Sequence, residues 1–118
     1  MECVVRNATR GTVLAERVVV ADSVLARLRG LLGTPDLARH HGLLLQPCRQ
    51  VHSFFMRYAL DLVFLDGVGR ALLAVAEFEK NRMSPRVKAA TAVLELPAGT
   101  LAETPVEPGD LLRIERRG

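Results

Sequence analysis

Residues 46–69, QPCRQVHSFFMRYALDLVFLDGVG, hold three of the four Phe, the only Tyr, one of two Cys and one of three His. The stretch reads as two short strands hinged at Tyr58-Ala59-Leu60-Asp61. Alternation puts His52, Phe54 and Met56 on one face and Ser53, Phe55 and Arg57 on the other. Asp66-Gly67-Val68-Gly69 is a turn signal, so Leu62 to Asp66 is expected to fold back onto Ala71 to Phe78. His52, Arg57 and Asp61 sit among large apolar groups, where each needs a partner to offset its lost hydration.

The same grammar extends to both sides. Cys3 to Arg6 and Val13 to Ala21 read as strands joined by the turn residues Asn7 to Gly11. Consecutive Val18, Val19 and Val20 disfavour helix and fit a strand buried on both faces. Asp22 or Ser23 caps a helix over about residues 23–32, with Val24, Leu25, Leu28, Leu31 and Leu32 at helical spacing. Gly33 and Pro35 end it. Asp36 to Gly42 reads as a loop and Leu43 to Gln46 as a short strand.

Downstream, Asn81 to Ala90 reads as a long loop and Thr91 to Leu96 as a strand closed by Pro97-Ala98-Gly99. Thr100 to Thr104 suits one helical turn. Glu107-Pro108-Gly109-Asp110 suits a type II turn, and Leu111 to Glu115 is the last strand. About eight short strands and one helix predict a mainly β fold, a compact sandwich or barrel with the helix packed on it. At 118 residues the chain is expected to form a single domain over residues 1–118.

Composition narrows the function. Hydrophobic content of 49% and charged content of 25% are those of a globular protein. Net charge is +3 without a long basic run, so nucleic acid is not an expected partner. The N-terminus MECVVRNATRG has no signal-peptide pattern and no run is long enough to span a bilayer, which predicts a soluble, cytoplasmic protein. Cys3 and Cys48 fit neither a zinc site nor a disulfide scaffold. His40 and His41 with His52 lack ligand spacing, so neither a metal nor a cofactor is expected.

Five pieces in order carry a resemblance. They are Arg27 to Gly33 (RLRGLLG), Gly42 to Cys48 (GLLLQPC), His52 to Arg57 (HSFFMR) with Leu60 to Asp66 (LDLVFLD), Val93 to Gly99 (VLELPAG), and Pro108-Gly109-Asp110. In order and spacing the chain resembles the uncharacterised bacterial and archaeal domain-of-unknown-function family 192. The resemblance implies a mainly β sandwich or barrel with a helix on it, and no established activity. The aromatic residue or Pro-Trp common in that family after the third hairpin strand has no counterpart in Asn81 to Arg86.

The candidate binding residues are His52, Arg57, Asp61, Glu95 and Met56. His titrates near neutral pH and serves as a base, a ligand or a structural donor. Glu95 shares a face with Val93 inside Ala92-Val93-Leu94-Glu95-Leu96, so it is either on a wet face or buried with a partner. Buried, it becomes a candidate acid or base. Asp61 by default bonds nearby backbone amides. With no recognisable catalytic motif, the expectation is a non-enzymatic domain that binds a small ligand or a protein around His52. The alternatives are a hydrolase-like enzyme using His52 with Glu95 or Asp61, and a structural or assembly module.

Overall fold

Short runs of β-branched and aliphatic residues, each stopped by Gly, Pro, Asn or Asp, leave this chain little choice but strands. The computed structural model describes residues 2–21, 39–53 and 58–117. Among these are β1 (Glu2–Asn7), β2 (Thr12–Ala21), β3 (His41–Leu45), β4 (Leu60–Leu65), β5 (Ala71–Phe78), β6 (Ala92–Pro97) and β7 (Leu112–Arg116). One helical turn, α1 (Thr100–Glu103), follows β6. The helix expected over residues 23–32 lies outside the described residues.

The seven strands form one sheet in the order β5-β4-β6-β3-β2-β1-β7. All neighbours are antiparallel except β2 and β3, which pair in parallel with Arg17 opposite His41 and Ala21 opposite Leu45. The sheet curls into a half-barrel. Its two end strands meet where Arg70 bridges Leu111. There Leu112 N–H donates to the Gly69 carbonyl at 2.8 Å, and Ala71 N–H donates to the Asp110 carbonyl at 2.8 Å.

The turn feeding this junction is held by Asp110. Its carboxylate accepts from Asn7 Nδ2 at 3.0 Å, the Glu107 N–H at 3.0 Å and Arg10 Nε at 2.6 Å. These donors, Asn7 foremost, hold its pKa down at about 2.

Curling splits the apolar residues into two clusters. The inner one draws on every strand, with Cys3, Val5, Leu14, Val18, Leu44, Val63, Leu94 and Leu112 among its members. The outer one lies across β3, β6, β4 and β5, around Leu43, Leu62, Phe64 and Val93. Two loops cover part of it. Val51 and Ala90 are buried there, with Cys48 and Val87 packed alongside. The loops zip together: Ser84 N–H donates to the Val51 carbonyl at 2.8 Å, and Val87 N–H to the Arg49 carbonyl at 2.9 Å. Cys3 in the inner cluster and Cys48 beside the outer one are not joined by a disulfide.

Two expectations need correction. First, β2 is not buried on both faces: Val18 is fully buried but Val19 is 47% exposed. Consecutive β-branched residues dictate extended backbone, not coverage. Second, residues 54–57 of the strand expected from His52 lie outside the described residues, and His52 itself is in none of the sheet strands. It makes an isolated bridge to Met83. The buried Ser53 explains the diversion, because its hydroxyl donates to the Glu79 carbonyl at 2.5 Å and accepts from the Arg82 N–H at 2.9 Å. The expected hinge also shifts, since Leu60 and Asp61 already belong to β4.

The closing junction is open to test. Gly69 has φ +93, and a Cβ there would stand 2.5 Å from the Leu112 carbonyl oxygen. Both the left-handed backbone and the collision oppose any side chain. Gly69→Ala is expected to cost about 2 kcal/mol or more, read as a lower urea midpoint at an unchanged m-value.

Candidate functional site

Glu95 lies at the middle of β6, in register with Leu43 on one side and Leu62 on the other. Both neighbours belong to the outer cluster, so the alternation that exposes one face of an ordinary strand here carries a carboxyl group into apolar surroundings. Glu95 is 1% exposed, and its Oε2 has no hydrogen-bond partner among the described residues. Desolvation pushes its pKa up to about 8. At neutral pH the group is therefore a neutral carboxylic acid, able to donate one hydrogen bond and accept others.

Asp61 is buried as completely but spent differently. It is paired with Leu96 of the inner cluster, whereas Glu95 is paired with Leu62 of the outer one, so the two carboxyls face opposite sides of the sheet. Asp61 Oδ1 accepts from the Glu77 N–H and Oδ2 from the Leu101 N–H, both at 2.8 Å. The first bond holds a bulge. Leu60 pairs with Phe78 and Leu62 with Val75, so Ala76 and Glu77 together oppose Asp61, and Glu77 takes φ 53. The second satisfies an amide in the first turn of α1, whose N-cap Gly99 offers no side chain. The sequence default of backbone bonding holds, but the amides lie 16 and 40 residues away.

His52 is exposed at its bridge to Met83. Met56 and Arg57 lie outside the described residues. Of the candidates read from the sequence, Glu95 is the described one whose surroundings are chemically unusual. Its signal was a carboxylate sharing an alternation face with Val93.

Burial of Glu95 sets a pH dependence. Its folded pKa lies above the unfolded value, so the folded state holds its proton longer. This contribution is fully favourable below pH 4.5 and is lost as pH rises toward about 8. A shift of that size corresponds to roughly 4–5 kcal/mol. Thermal melts are expected to fall across this window, and a Glu95→Leu protein should lack the fall and melt higher at pH 8. Asp61→Ala should instead lose roughly 2–4 kcal/mol at neutral pH, measured by urea unfolding, because two backbone donors lose their acceptor.

Comparison with known proteins places the chain as a whole. A UPF0127 protein of Thermococcus kodakarensis is 31% identical over 111 residues, covering 90% of this chain and 69% of the relative. A UPF0127 protein of Thermococcus sibiricus is 29% identical, covering 88% of this chain and 70% of the relative. Two crystal structures share the fold. One, of a Novosphingobium aromaticivorans protein of unknown function, has a TM-score of 0.79 at 22% identity and covers 96% of this chain and 84% of its own. The other, described as a putative transcription regulator of Sinorhizobium meliloti, has a TM-score of 0.80 at 24% identity and covers 97% and 94%. The family profile of DUF192, described as Uncharacterized ACR, matches residues 5–114, and the chain belongs to that family.

Proposed function

We propose that this protein is a small-ligand-binding β domain whose site is built around the neutral carboxyl of Glu95. The observation that carries the reading is the Oε2 atom, buried and without a hydrogen-bond partner among the described residues. Such an atom costs about 1–3 kcal/mol. A ligand group that reaches it recovers that cost, and the surrounding Leu43, Leu62 and Phe64 favour an uncharged, largely apolar molecule. His52, on the exposed part of the loop that carries buried Val51, is the proposed rim residue. Asp61 supports the frame from the other face and stays outside the site.

A second reading follows from the same group. A carboxyl titrating near pH 8 is poised for proton transfer at physiological pH, which favours general acid or base chemistry with Glu95 as the proton carrier.

One experiment addresses both. The pure protein and Glu95→Leu are melted against sugars, nucleosides, amino acids, short peptides and apolar amides, and each mixture is then assayed for chemical change. A ligand at 100 times its dissociation constant adds about 2.7 kcal/mol, a shift of several degrees. The expected result is a shift in the native protein that Glu95→Leu lacks, with the compound recovered intact. Conversion of the compound, lost in the variant, would transfer the assignment to the enzymatic reading. Equal shifts in both proteins, or none in either, would remove Glu95 from any site.

A further inference from the structure

A second feature stands apart from Glu95, at one mouth of the half-barrel. An open cleft of about 480 Å³ lies between the start of β2, the turn before β3, and the segment from β6 into α1. That volume is within the range of small-molecule sites. Its lining mixes polar and apolar groups. Pro97 contributes, and Val13, 38% exposed, is one of the few large hydrophobic side chains open to solvent among the described residues. Its rim carries Arg39, His40, Tyr58 and Glu103.

The rim is held by strained backbone. His40 has φ 66, unfavourable for a residue with a Cβ. Its carbonyl accepts the N–H groups of Glu16 and Arg17 at 2.8 and 3.2 Å, which fixes the turn against β2. This turn presents Arg39 and His40 at the cleft.

Among the described residues Arg39 has one partner. Its Nη2 lies 3.4 Å from Glu103 Oε1, with the two side chains 75% and 62% exposed. An ion pair so open to water contributes little and yields easily to a better acceptor. Guanidinium has five donors in a planar fork, and this contact uses one of its nitrogens. The remaining edge matches a carboxylate in bidentate fashion.

We infer that the cleft at Arg39 and His40 binds small organic carboxylates, with the anion on the Arg39 guanidinium and the apolar body against Val13, Pro97 and Tyr58. Glu103 competes with the ligand for the same guanidinium.

The probes are benzoate and benzamide, alike in shape and different in charge, each titrated into the full chain and followed by amide NMR. Benzoate should shift the amides of Arg39, His40 and Gly99 saturably, and benzamide should not. Arg39→Gln should weaken benzoate at least tenfold while leaving the rest of the spectrum in place, and Glu103→Gln should tighten it. Glu95→Leu should bind benzoate as the native chain does, so this site stands or falls separately from the Glu95 reading. Equal binding of benzamide, undiminished binding by Arg39→Gln, or no saturable shift with benzoate up to about 20 mM would each overturn the assignment.

Discussion

Everything in this fold depends on the junction that joins the two end strands of one sheet. Residues 69–71 and 109–112 exchange backbone hydrogen bonds, and the Asp110 carboxylate ties that corner to Asn7 and Arg10. Without the junction the sheet would be open, with β5 and β7 as distant edges and the inner cluster exposed on one side. With it, side chains from β1 and β7 reach those from β4 and β6 across the curl. A Gly at position 69 is the local concession that lets two backbones come this close.

Two buried carboxyl groups on neighbouring strands show how position decides chemistry. Asp61 and Glu95 sit one register step apart across the β4–β6 ladder. Asp61 meets backbone donors on both oxygens and acts as a clamp for the β5 bulge and α1. Glu95 meets aliphatic carbon and keeps its proton. The difference follows from strand parity, which turns one group toward backbone amides that need an acceptor and the other toward side chains that, among the described residues, donate nothing to it.

Parity itself was legible in the sequence. Val93 and Glu95 share a face by alternation, the β4–β5 turn is written in Asp66 to Gly69, and the Pro108-Gly109 turn matches the left-handed φ of Gly109. Local rules could not say which face would be covered. Coverage of the outer cluster depends on the loop around Val51 and the loop around Val87 zipping together, a contact between segments far apart in the chain. For the same reason Val19 was read as buried, and residues 52–53 were read as ladder strand. The bulge that Asp61 stabilises depends on a positive φ at Glu77, a residue whose type gives no sign of it. His40 was read as half of an unhelpful His pair, and only the pairing of β2 with β3 shows that it shapes a cleft.

The placement of β1 has a consequence for biosynthesis. Its outer partner is β7, and the Asn7–Asp110 contact spans 103 positions. As the chain leaves the ribosome, β1 pairs early with β2 but keeps one row of amides and carbonyls exposed until β7 emerges. During that interval Cys3 and Val5, destined for the interior, border an unprotected edge. Nascent chains held at this stage would be targets for chaperones or for one another, and the arrival of β7 ends that exposure.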